Sequence, residues 1–149
     1  MSYRSTGVRS NVGFSDKSVF DLATNENDPE EIIEESLALT SETLQFTFSK
    51  CDKDPNKLLK SKKANCIGYA AFCSAVCNQL FEENKMTDWK ASPQIAKIYV
   101  LGINVHQYIS SPFFKDHDFV KIENIKTGEC YFVDPSLYDY TGIGWVRGS

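Results

Sequence analysis

No stretch of this chain is apolar over the roughly 20 residues needed to cross a bilayer. A basic excess, the usual mark of a nucleic-acid surface, is also missing: the net charge is −4 and the isoelectric point about 5.2. The opening residues MSYRSTGVRSNVGFSDKS contain no apolar segment of the kind a secretory leader requires, so the sequence reads as a cytoplasmic chain with no membrane insertion and no nucleic-acid partner. The cysteines number five, an odd set, which speaks for reduced thiols over a disulfide framework. There is no CxxC pair and there are only two histidines, so no zinc cluster is predicted. Acidic runs of the EF-hand type are absent as well, and no metal or other cofactor is expected. Oligomeric state leaves no trace in the pattern.

What remains is an ordinary globular composition, 42% hydrophobic and 13% aromatic over 149 residues, enough for one domain spanning 1–149. Residues 1–27 are polar and without period, and read as an irregular arm with a short apolar contact at Val19-Phe20. Asp28-Pro29-Glu30-Glu31 opens a helix: a capping carboxylate, proline at the first helical position, and acids at the positive end of the dipole. Alternation at Leu44, Phe46 and Phe48 suggests a short extended piece. Asp54-Pro55 repeats the helix start, and a long, mostly apolar helix is predicted from about Asn65 to Glu83. Ile95 to Val105 is rich in β-branched residues and reads as a buried strand. Two further strands, His117 to Glu123 and Glu129 to Asp134, flank a turn at Lys126-Thr127-Gly128. Helices followed by an antiparallel meander make an α+β layout.

Three cysteines fall in KKANCIGYAAFCSAVCNQLF, residues 62–81. Cys66 and Cys73 are seven residues apart on the predicted helix, roughly 10 Å along its axis, too far to share a metal or a disulfide. Cys73 and Cys77 follow the apolar stripe of Phe72, Val76 and Leu80 and read as core. Cys66 differs because it starts the helix. There the helix dipole and Lys62 and Lys63 favour a thiolate.

A reactive thiol needs a base. His117 opens one strand of the predicted hairpin and Asp134 closes the other, so the turn brings them within a residue or two of being opposite. The carboxylate can then hold one ring nitrogen while the other faces the thiol, giving nucleophile, base and orienter as Cys66, His117 and Asp134. His106, at the end of the preceding strand, is the rival base or a residue lining the cleft.

Three short motifs in this order resemble the transglutaminase-like superfamily of papain-type thiol enzymes. Ala64-Asn65-Cys66-Ile67-Gly68-Tyr69-Ala70 is similar to its nucleophile motif, with Ala64 standing where Gly is usual. His117-Asp118-Phe119-Val120 resembles its His-x-aromatic-Val strand, and Asp134-Pro135-Ser136 its Asp-Pro-Ser/Thr strand end. The resemblance covers residues 64–136. It implies a papain/transglutaminase-like core, with N-terminal helices and the nucleophile helix packed on an antiparallel sheet. It further implies acyl transfer through a Cys66 thioester, as a cysteine protease, amidase or transamidase acting on a protein, peptide or other amide. The alternative is a non-catalytic protein- or peptide-binding module on the same fold. The sequence lacks the glutamine that a papain-like enzyme carries shortly before its cysteine as an oxyanion donor. Gln45, Trp89 and Tyr99 are the candidates to supply that bond from elsewhere.

Overall fold

A computed structural model describes residues 2–9, 12–16, 27–100, 103–104, 117–142 and 145–148. Each of the four helices among the described residues begins at a side-chain cap. Asp28 accepts from Glu30 N at the start of α1 (Pro29–Thr43), and Asp54 from Asn56 N at the start of α2 (Pro55–Ser61). Asn65 caps α3 (Cys66–Glu83), and Asp134 caps α4 (Pro135–Thr141). In α1, α2 and α4 a proline follows the cap, where its missing N–H costs the helix nothing.

Eight strands complete the described fold. They are β1 (Ser2–Val8), β2 (Gln45–Phe46), β3 (Lys63–Ala64), β4 (Trp89–Val100), β5 (Ile103–Asn104), β6 (His117–Asn124), β7 (Cys130–Val133) and β8 (Trp145–Arg147). The main sheet is antiparallel in the order β1-β4-β6-β7-β8, with β5 pairing to the end of β4. Strands β2 and β3 form a separate parallel pair. The architecture is therefore a mixed α+β one, and its core lies between the sheet and α3. Along α3, Tyr69, Phe72, Val76 and Leu80 are fully buried, packed with Ile32, Ile33 and Leu37 of α1 and with Ala91, Val120, Ile122 and Val133 of the sheet. No helix among the described residues is long and apolar enough to cross a membrane.

The N-terminal reading needs correcting, because Ser2–Val8 is not irregular. It pairs with β4 in an antiparallel ladder, with a register shift between Ser5 and Gly7. Backbone hydrogen bonds hold an edge strand, so its side chains can stay polar and leave no apolar alternation to read. Val19-Phe20 lies outside the described residues.

The strand predicted from Ile95 instead starts six residues earlier, at Trp89. Pro93 hid this portion, since proline cannot donate to a ladder and argues against a central strand. Its carbonyl still serves, accepting from Arg9 N at 2.9 Å. Helix α4 went unread although Asp134-Pro135 repeats the Asp-Pro start of α1 and α2.

Candidate active site

Cys66 is the first residue of α3, only 7% exposed, and its position is set by what precedes it. Asn65 Oδ1 accepts from Gly68 N at 3.2 Å, which closes the first turn. Cys51 braces that cap from the side: Asn65 N donates to its sulfur at 3.3 Å, and its thiol donates back to Asn65 Oδ1 at 3.2 Å. One step upstream, Thr47 N donates to Ala64 O at 2.8 Å, so the β2–β3 pair holds the chain leading into the helix.

Gly68 permits this crowding. A Cβ there would come within 2.7 Å of Ala64 Cβ and 3.2 Å of Cys51 Sγ. Gly68→Ala is therefore expected to lower stability by about 1–3 kcal/mol despite the better helix propensity of alanine. Urea denaturation reads the loss, and Ala64→Gly in the same chain should recover part of it. A Gly68→Ala protein as stable as the wild type would show that this contact does not constrain the helix start.

His117 begins β6 and is 2% exposed. Its Nε2–H donates to Asp134 Oδ2 at 2.5 Å. Asp134 closes the neighbouring strand and is itself 1% exposed. Its second oxygen, Oδ1, accepts from Leu137 N and from Ser136 Oγ, both at 3.0 Å. One carboxylate thus caps α4 with one oxygen and fixes the imidazole with the other. The register Val120↔Val133 explains how they meet, because it carries the ends of β6 and β7 past each other by only a few residues. Cys66 also lies close enough to the imidazole for its sulfur to favour the protonated ring. The structure therefore brings Cys66, His117 and Asp134 together at the N-terminus of α3.

Burial alone would push the His117 pKa down. The hydrogen bond with Asp134, the nearby Cys66 sulfur and the charges on both outweigh it and raise the pKa to about 10 from an ordinary 6.5. The imidazolium is thus the form this site favours. A raised histidine pKa stabilises the fold fully below about pH 6.5, and that contribution is lost as pH rises through about 10. The urea midpoint of the wild type should accordingly fall between pH 7 and 10, and His117→Phe should fall less over the same range. Equal slopes in the two proteins would contradict the ion pair.

The other sequence candidates separate clearly. Gln45 lies on β2 beside Lys63, on the strand pair that leads into Cys66, with its side chain exposed. Trp89 does not belong to the site. It pairs with Asn124, whereas His117 pairs with Ala96, seven residues along β4 and roughly 23 Å away at about 3.3 Å per residue. Its ring instead packs on Phe81 and Tyr131, with centroids 6.1 and 6.0 Å away. Tyr99 has its backbone in β4, opposite Ser2 and Asn104. The Tyr99 side chain and all of His106 lie outside the described residues.

Cys73 and Cys77 are fully buried core residues. A hydrogen bond from Cys77, then burial, holds the Cys73 thiol well above the ordinary range, and it stays protonated. No group of three or more metal-ligating side chains occurs among the described residues.

Two partners escaped the sequence reading. Ser136 steadies Asp134, and its signal was present in the Asp-Pro-Ser motif. Arg9 forms a two-pronged ion pair with Asp118, through Nε to Oδ2 and through Nη2 to Oδ1 at 3.0 Å. Asp118 is fully buried and adjoins His117 in sequence, but nothing in the first ten residues marks Arg9 as its partner.

No protein-family model, curated protein or solved structure matches this chain. Its chemistry is read from the side chains themselves.

Proposed function

We propose that this protein is a thiol-dependent acyltransferase or amidase of the transglutaminase-like, papain-type kind, working through a thioester on Cys66. The carrying observation is that one buried imidazole is held by the Asp134 carboxylate and feels the sulfur of Cys66 at the start of α3. In this reading His117 holds the thiol proton while the sulfur attacks an amide carbonyl. The helix dipole of α3 then favours the oxyanion, because first-turn N–H groups lie outside the helical ladder. His117 returns its proton to the leaving amine and the acyl group stays on sulfur. Water then releases an acid, or a second amine takes the acyl group. Asp134 keeps the ring in the tautomer and orientation that both steps need. The substrate is a protein, peptide or other amide, and the chemistry requires no cofactor. Gln45 remains the sequence candidate for a second oxyanion donor whose strand adjoins the nucleophile segment.

An acylating activity probe tests the proposal. Labelling of wild type, retained in Cys73→Ala and abolished in Cys66→Ala and His117→Ala, is the expected pattern. Iodoacetamide near pH 6 should likewise modify Cys66 before the other four cysteines. If Cys66 is no faster than the rest and the probe leaves it unlabelled, the protein is better described as a non-catalytic protein- or peptide-binding module.

A further inference from the structure

The first turn of α3 is closed by a capping box, one half of which comes from elsewhere in the chain. In the usual form the N-cap side chain accepts from the backbone N–H of the third helical residue. A Glu or Gln at that third position then reaches back to accept the N-cap N–H. Asn65 makes the first of these bonds, accepting from Gly68 N at 3.2 Å. Residue 68 is glycine and has no side chain to make the second. Cys51 supplies it: its sulfur accepts from Asn65 N at 3.3 Å, and its thiol donates to Asn65 Oδ1 at 3.2 Å. That sulfur lies 3.2 Å from where a Cβ on residue 68 would stand, so it fills the space the missing side chain leaves.

A thiol or hydroxyl gives and accepts at one atom, whereas a carboxylate only accepts and would repel Asn65 Oδ1. Sulfur is a weak partner in both directions, so the two bonds add little to global stability. Their location gives them weight, because Asn65 is the residue from which Cys66 departs. Cys51 does not face the Cys66 side chain. Residues 66 and 68 are about 200° apart around a helix, so Cys66 points away from the side on which Cys51 meets Gly68. The influence of Cys51 on Cys66 therefore passes through the backbone of the cap. Among the other described cysteines, Cys73 and Cys77 are core residues and Cys130 begins β7.

Resting on the reading of Cys66 as nucleophile, we propose that Cys51 is its positioning residue, aiming the Cys66 thiol toward His117 through the cap of α3. A reacting group misplaced by about 1 Å loses about 100-fold in rate. A cap that shifts Asn65 by part of that distance therefore slows acylation without changing what the protein binds. p-Nitrophenyl acetate reports the step. The Cys66 sulfur bonds to the acetyl carbon, His117 takes the thiol proton, and p-nitrophenolate leaves with the bonding electron pair.

Rates measured over a range of ester concentrations, with the Cys66→Ala background subtracted, separate the maximal rate from the half-saturating concentration. Cys51→Ala should lower the maximal rate about tenfold and leave the half-saturating concentration within about twofold of wild type. Cys51→Val, which fills the space but makes neither bond, should show the same loss. Cys51→Ser keeps a donor and an acceptor at this place and should react at least about threefold faster than Cys51→Ala. Cys130→Ala, which removes the other half-buried thiol, should react as wild type does. Melting curves accompany each variant, and rates are taken below the transition. A brace that serves stability alone would lower the melting temperature of Cys51→Ala and Cys51→Val and leave their maximal rates unchanged. That result, or a Cys51→Ser no faster than Cys51→Ala, would overturn the positioning role and leave the nucleophile standing. Wild type no faster than Cys66→Ala would overturn both.

Discussion

Asp134→Ala should lose both activity and fold stability, in a combination that no single-role residue would give. The carboxylate caps α4 through Oδ1 and holds His117 through Oδ2. Loss of the cap costs about 1 kcal/mol. Stripping a buried charged group of its partner costs about 3–5 kcal/mol; His117 can shed its proton, so the combined loss is expected near the lower end, about 3 kcal/mol at pH 7. Acylation of Cys66 should fall by about two to four orders of magnitude, since the ring loses its tautomer and orientation. Asp134→Asn separates the two roles. Its side-chain oxygen can still cap α4, so thermal stability should be partly recovered while acylation stays low. Calorimetry and probe kinetics on the two variants provide the measurement. Full activity in Asp134→Asn would remove Asp134 from the triad.

Arg9→Ala should destabilise by about 3 kcal/mol although it removes a quarter-exposed side chain from an edge segment. The cost falls on its partner: Asp118 is fully buried, and without the guanidinium its charge has no other ion pair among the described residues. Arg9→Lys keeps the charge but loses the fork, and should fall between the two. The double variant Arg9→Ala/Asp118→Leu should be more stable than Arg9→Ala alone, because it strands no charge. Urea midpoints of wild type, Arg9→Ala, Asp118→Leu and the double variant close a double-mutant cycle. A single-variant loss below about 0.5 kcal/mol would mean that the pair is not seated as described.

The approach of Cys66, His117 and Asp134 was legible in the sequence because its signals are local and independent of one another. Asn65-Cys66 carries a capping residue before a cysteine that starts the helix. His117 and Asp134 are joined by a hairpin whose turn is written in Lys126-Thr127-Gly128. Their meeting needed only strand register. The α+β layout was legible for the same reason, since α1, α2 and α3 have caps and apolar faces of their own.

The unread features depend on distant pairing. Ser2–Val8 is a strand only because β4 lies beside it, and Pro93 obscures the part of β4 where the pairing begins. Arg9 meets Asp118 across 109 residues of chain, with no periodicity to announce it. Trp89 misled for the opposite reason: an indole N–H is a plausible donor anywhere, and only the register of β4 against β6 removes it from the site.

The placement of β6 has a consequence in time. Its first two residues are gripped from opposite ends of the chain, His117 by residue 134 and Asp118 by residue 9. A ribosome releasing this chain from its N-terminus has long exposed Cys66 before either the imidazole or its carboxylate emerges. A chain cut short before Asp134 carries Cys66 and His117 without the carboxylate that holds the ring. Under the proposed function, Cys66 is armed by the tertiary fold and not by its own segment of sequence.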